Sequence, residues 1–404
     1  MDSGASPVDR PRLATNYAMN AVRILAALLV VVSHIRAMFF VDFSQSARSD
    51  PITELMYAVT SLGHQAVIVF FVLSGYWVGG SVVRGTRAKT FGVGAYGIAR
   101  ITRLWLVLVP AILFTQALDR LGSTLWPDSD VYTGSVAYHT VVPVGGPIPN
   151  LSLLDSFGNL FFVQDLYVPS VGTNTPLWSL AAEFWYYLMF PAILLIVARG
   201  VSIRARVLSA AVFIAAIALV SAPKVDNIAG VLVLFPAWLL GALVGGQRDV
   251  IVSYLRRLHK HSLALARVAT LLCVVGFAIV ASRTGSIAFT YLLAIATAGL
   301  LAALIPDVAT ARGKKLLSPW SWAAEWSYSL YATHLPVVAF LAALWVPFAD
   351  DRWQMTPVTF VYLAGLTLAP VGVAIGFYYL AEKHTNRVRA LLSRRRPVGR
   401  RSLA

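Results

Sequence analysis

The chain has 404 residues and a formal net charge of +15, with 58% hydrophobic and only 13% charged residues. A soluble domain carries nearer a quarter charged residues, so water is not the solvent for most of this surface. The single cysteine, Cys273, excludes an intramolecular disulfide framework and any Cys-x-x-Cys metal knuckle, and reads as a small apolar residue facing lipid or a neighbouring helix.

A bilayer-spanning helix needs roughly 20 mostly apolar residues. Ten stretches qualify, at about 20–41, 62–83, 98–118, 178–198, 206–222, 228–246, 263–282, 286–305, 321–346 and 357–380. The expected fold is therefore all-α, a polytopic membrane protein of about ten transmembrane helices. The first stretch retains Arg23 and His34 and lacks a small-x-small cleavage site near its end, so it reads as a retained helix rather than a signal peptide. If the spans alternate in direction, 27 of the 33 Lys and Arg residues fall on one side, and only Arg36, Arg48, Arg120, Lys224, Arg283 and Arg352 on the other. The positive-inside rule then makes both termini cytoplasmic. The chain divides into a cytoplasmic tail over 1–19, a transmembrane domain over 20–381 and a basic cytoplasmic tail over 382–404. The run Arg394-Arg395-Arg396 reads as a charge cluster against anionic membrane lipid, not as a nucleic-acid site.

Ionisable side chains inside a bilayer are costly, and each is a functional candidate. On span one, Arg23 and His34 are eleven positions apart, which at ~100° and ~1.5 Å per residue puts them on one helix face about 16 Å apart along the axis. Span two contains Phe70-Phe71-Val72-Leu73-Ser74-Gly75-Tyr76, whose Ser-Gly pair between large apolar residues permits close helix approach. Span three opens with Arg100 and Arg103, at i and i+3 on one face of its cytoplasmic end. Two guanidinium forks so placed suit phosphate, although membrane anchoring predicts the same charges. The connection that follows, about 119–177, is the one region large enough for an extramembrane structure, either a plain cap or a cover over an acceptor site.

Span four begins Leu177-Trp178-Ser179-Leu180-Ala181-Ala182-Glu183, and span nine carries Ser327-Tyr328-Ser329-Leu330-Tyr331-Ala332-Thr333-His334-Leu335-Pro336. Counted from the span ends, His34, Glu183 and His334 fall at similar depth, so the two imidazoles and the carboxylate could form one proton-handling site. No Gly-x-Ser-x-Gly elbow, P-loop, Gly-x-Gly-x-x-Gly fingerprint or His-Glu-x-x-His metal motif occurs. Direct attack by an acceptor hydroxyl assisted by His is thus the simplest chemistry, with no metal.

These residues resemble acyltransferase family 3, membrane O-acyltransferases that acylate surface polysaccharides, lipopolysaccharide and some secreted glycosides or macrolides. The resemblance rests on Arg-x10-His at Arg23 and His34, the Phe-Phe-Val-Leu-Ser-Gly-Tyr segment at 70–76, and Arg-x-x-Arg at Arg100 and Arg103. It continues through Leu-Trp-Ser-Leu-x-x-Glu at 177–183 and the segment 327–336. Two positions depart from the family pattern: Arg103 is followed by Leu104-Trp105-Leu106, without the family's early proline, and Thr333 stands where Trp is common.

The resemblance implies a bacterial inner-membrane enzyme that moves an acyl group, commonly acetyl, from cytoplasmic acyl-CoA to a hydroxyl of a carbohydrate or lipid-linked glycan. It holds no permanent cofactor. His34 would act as general base, and Arg23, Arg100 and Arg103 would hold the CoA. Glu183 and His334 would orient or line the acceptor region, and Ser74, Trp178 and Tyr331 would line the substrate site. The nearest alternative is a transporter or flippase for a glycan-related solute, since ten helices with buried ionisable residues also describe one. A glycan polymerase or ligase is disfavoured, because Arg120 is the single basic residue of the long outer connection.

Overall fold

The computed structural model describes residues 17–138, 141–221, 229–306 and 311–394. Arg10 and Arg12 of the N-terminal tail, Lys224, and the tail cluster past Arg394 lie outside the described residues, as do the side chains of Arg312, Lys314 and Lys315. The described chain is helical throughout, its only β pairing being two isolated bridges.

Among the described residues, nine helices are long and apolar enough to cross a membrane. In chain order these are α1 (Tyr17–Phe39), α2 (Gly63–Arg87), α3 (Val93–Leu125), α4 (Leu177–Val197) and α5 (Ile203–Ser221), followed by α7 to α10. A tenth span is made by α6 (Ala229–Gly246) taken together with the short helix over Arg248–Leu255 that is bent 64° from it. The remaining spans are α7 (Lys260–Thr284), α8 (Ile287–Leu304), α9 (Leu317–Trp345) and α10 (Pro357–Leu380). A short basic helix, α11 (Thr385–Arg394), comes last. Each expected span has its helix, with ends displaced by a few residues.

Why the helices pack as they do follows from small residues and prolines. Continuous apolar sequence makes the helices, and close backbone approach decides which neighbours they choose. A Cβ on Gly75 would stand 1.9 Å from the Trp238 carbonyl oxygen, and one on Gly241 would stand 1.9 Å from that of Val72, so α2 and α6 touch backbone to backbone. At this contact α2 widens into a π-helical turn over Gly75–Gly79, directly after Ser74. Prolines lie inside α3, α4, α6, α9 and α10, and below Pro191 the freed Tyr187 carbonyl accepts from Tyr96 OH at 3.0 Å. Pro336 frees the Ala332 carbonyl, and Asn174 Nδ2 donates to it at 2.9 Å.

α9 is the central helix, with 78% of its apolar stretch buried, against 6% for α7, whose face carrying the exposed Cys273 is left for lipid. α1, α3 and α10 surround α9, while α2 is wedged between α1, α6 and α8. The connection after α3 forms an ordered cap. The buried Asp119 accepts from Thr173 N at 2.8 Å and Thr173 Oγ1 at 2.9 Å, tying the cap's end to α3. On the same side, Arg36 and Arg352 face Asp42 and Arg48 pairs with Asp50, so these cations are already partnered.

The segment after Leu380 is not a free tail. Glu382 is 4% exposed and packed among the spans, and α11 lies against α3. The start of the basic segment that follows residue 381 is thus packed against the spans. A buried carboxylate with a guanidinium partner outweighs the solvation that a run of basic residues suggests.

Candidate active site

The site begins with two imidazoles. α1 packs on α9, bringing His34 Nδ1 to 2.8 Å from His334 Nε2 with the rings stacked at 5.0 Å between centroids. His334 is fully buried, two residues before Pro336 in the interior of α9. Its Nδ1 lies 2.8 Å from the Tyr331 carbonyl oxygen and 3.1 Å from that of Leu330. Carbonyl oxygens only accept, so in the neutral pair Nδ1 of His334 carries the proton and its Nε2 accepts. His34 Nδ1 then donates to it. The remaining nitrogen, His34 Nε2, has no hydrogen-bond partner among the described residues and keeps its lone pair.

Two cavities approach this pair from opposite ends of the bundle. The larger, about 690 Å³, is lined by Arg23, Arg100, Arg103, Ser74, Glu183 and Tyr328 among others. The smaller, about 320 Å³, lies under the cap and is lined by His34, His64, Asp165, Thr175 and Trp178. Val67 and Tyr331 belong to the walls of both and form the partition between them. The Tyr331 hydroxyl is held by Ser179 Oγ at 2.6 Å and the Pro176 carbonyl at 3.1 Å.

In the larger cavity the three arginines have different partners. Arg103 pairs with Glu382 at 2.5 Å and lies over the Tyr328 ring at 4.9 Å. Glu382 also accepts from Ser329 N at 3.0 Å and Ser329 Oγ at 2.6 Å. Arg23 donates to the Ala324 carbonyl and covers the Trp77 ring. Arg100 lies between the Tyr96 and Tyr187 rings at 5.7 and 5.5 Å, with no carboxylate partner among the described residues. An aromatic sandwich orients a guanidinium without neutralising it, which suits an anionic ligand.

Glu183 does not join the imidazoles. It accepts from Ser74 Oγ and Tyr187 OH, and Trp238 Nε1 donates to Ser74 Oγ at 3.1 Å, so this cluster forms the far wall of the arginine cavity. The expected common level of the three groups does not bring them together: Glu183 points from α4 towards α2 and α6 and lines the arginine cavity, whereas His34 lines the cap-side one. Trp178 stands instead on the cap side, stacked on His64 at 6.0 Å.

Glu382, Lys383, Arg389, His64 and Asp165 line the cavities without having been singled out by the sequence reading. His64 carried a signal, since it is titratable and lies within the second apolar stretch. Asp165 carried less. In the cap it adopts a left-handed backbone (φ +58°), and burial raises its carboxyl to about 6. Ser170 Oγ contacts it at 3.3 Å.

The comparisons agree with this architecture. The acyltransferase family 3 model, described as an acyltransferase domain, matches residues 16–377. A 188-residue stretch is 31% identical to acyltransferase MdmB of Streptomyces mycarofaciens, spanning 45% of this chain and 40% of that relative. No solved structure matches. With the family model covering nine-tenths of its length and every span in place, the chain belongs to acyltransferase family 3.

Proposed function

We propose that the protein transfers an acyl group, acetyl in the simplest case, from acyl-CoA in the arginine-lined cavity to a hydroxyl of a carbohydrate-like acceptor in the cavity under the cap. The arginine side faces the cytoplasm, in keeping with the charge asymmetry. Arg23, Arg100 and Arg103 bind the phosphates of the donor, whose long pantetheine arm carries the thioester towards the Val67–Tyr331 partition. On the other side His34 Nε2 takes the proton of the acceptor hydroxyl as its oxygen attacks the thioester carbon. The C–S bond breaks, the ester stays on the acceptor, and the CoA thiolate leaves and takes up a proton. His334 holds His34 in the required tautomer.

The observation that carries this reading is the position of a tautomer-fixed imidazole on the cap-side cavity, one partition away from an arginine cavity. A transporter needs one site that opens alternately to both sides, and has no use for a fixed lone pair at a wall between two cavities. Mass spectrometry of surface glycans and secreted glycosides from a deletion strain tests the proposal. A lost acyl mass, restored by the intact gene, supports it, and unchanged acylation in every fraction counts against it.

A further inference from the structure

The family match ends at residue 377, yet the arginine cavity is walled on one side by residues beyond it: Tyr378, Glu382, Lys383, Thr385, Asn386 and Arg389. This wall is firmly seated. Glu382 spends one oxygen on Arg103 and the other on the backbone and hydroxyl of Ser329, which locks the start of the segment to α3 and α9. Thr385 Oγ1 donates to the Glu382 carbonyl at 2.7 Å at the first residue of α11. Along α11, Thr385, Asn386 and Arg389 are at i, i+1 and i+4 and share the face that meets the cavity.

Charge inside the cavity is unevenly satisfied. Its three carboxylates are engaged: Glu183 by Ser74 and Tyr187, Glu325 by Tyr378 OH at 2.5 Å, and Glu382 by Arg103 and Ser329. Among the cations, Arg23, Arg100, Lys383 and Arg389 have no carboxylate partner among the described residues; Arg23 is held by the Ala324 carbonyl, and the Lys383 ammonium rests 4.8 Å from the Tyr379 ring. Arg100 lies deeper, half-buried, whereas Lys383 and Arg389 are exposed at the mouth. Cations at two depths fit a ligand with phosphates at two places along its length.

We infer that α11 is part of the donor site, with Lys383 and Arg389 gripping the 3′-phosphate of the CoA nucleotide at the cavity mouth while Arg100 takes the diphosphate further in. This rests on the acyl-CoA reading above and adds to it a source of donor specificity. Membrane anchoring would also put cations on this helix, but on any face. Arg387 supplies the internal control, being exposed on α11 without lining the cavity.

The test is equilibrium binding of CoA and of 3′-dephospho-CoA to the full-length protein in nanodiscs. Wild type is compared with Lys383→Ala/Arg389→Ala, the same pair changed to Gln, and Arg387→Ala. Both double variants should bind CoA about tenfold more weakly, as expected for losing charge-assisted contacts at an exposed site, and dephospho-CoA almost unchanged. Arg387→Ala should match wild type. If wild type binds CoA but the double variants bind it equally well, or Arg387→Ala loses as much, the role of α11 is wrong and the donor reading stands. If wild type binds neither nucleotide, the donor reading itself fails and this inference with it.

Discussion

His334 fixes the proton of His34. The 2.8 Å contact between His34 Nδ1 and His334 Nε2, together with the carbonyl oxygens facing His334 Nδ1, leaves His34 Nε2 as the unprotonated atom on the cap-side cavity. Both imidazoles sit inside spanning helices, α1 and α9, so the base is built by helix packing rather than by a loop.

His34→Gln should accumulate in the membrane and bind donor normally, yet lose about 10²- to 10⁴-fold in transfer rate, the usual worth of general-base assistance. Side-by-side turnover and nucleotide-binding measurements check this. Retention of most turnover would make His34 a structural hydrogen-bonding residue.

His334→Phe keeps an aromatic ring in the buried position but leaves His34 Nδ1 without its acceptor. Partners that orient a functional imidazole are typically worth about 10- to 100-fold. The expected effect is a fall in kcat of that order with the donor KM unchanged. A change confined to donor KM would place His334 in the wrong cavity.

Arg100 and Arg103 should separate on stability. Arg103→Ala strands the carboxylate of Glu382, which is 4% exposed, and should lower the unfolding temperature as well as raise the KM for acyl-CoA. Arg100→Ala breaks no ion pair and should raise KM alone, with Lys rescuing it only in part because it lacks the planar fork. Equal thermal losses in both variants would contradict the assigned roles.

How much of this was legible in the sequence depends on which coordinate is asked for. Hydropathy located the ten spans, and helical periodicity put Arg23 and His34 on one face, where each now lines a cavity. Depth counted along spans one and nine matched His34 with His334. Depth counted from loose span ends says nothing about direction around the axis, however, and Glu183 faces Ser74 in the arginine cavity while His34 lines the cap-side one. Glu382 was hidden for a different reason. It follows the last apolar stretch and begins a strongly basic run, so bulk charge assigned it to a tail, whereas its ion-pair partner Arg103 lies 279 positions earlier.

Asp165 should give the cap a pH signature. Its carboxyl is raised from 3.8 to about 6 in the folded protein, so between these values the folded state keeps a proton that the unfolded chain gives up. Its contribution is therefore fully present below about pH 4 and is lost as pH rises through about 6, up to roughly 3 kcal/mol before solvent screening. Asp165→Asn should remove this fall. Unfolding temperatures of the two proteins in detergent from pH 4 to 7 should converge at the acid end and separate at the neutral end. Parallel curves would show that Asp165 does not titrate there.

The α2–α6 contact should tolerate no side chain. Gly75→Val would drive its Cβ into the Trp238 backbone and disturb Ser74 beside it, so the variant should fail to accumulate or should unfold far below wild type. Gly276→Ala, on α7 with nothing within 4 Å of the added carbon, is the matched control and should behave as wild type.

The central claim is that donor and acceptor enter from opposite faces and meet at His34. Inverted membrane vesicles, which expose the cytoplasmic face, are supplied with CoA carrying a labelled acyl group, and label is followed into extractable glycan and glycoside. Wild-type vesicles should transfer label in this orientation, right-side-out vesicles should not, and inverted vesicles carrying His34→Gln should bind donor without transferring it. Transfer from right-side-out vesicles, or undiminished transfer by His34→Gln, would contradict the account.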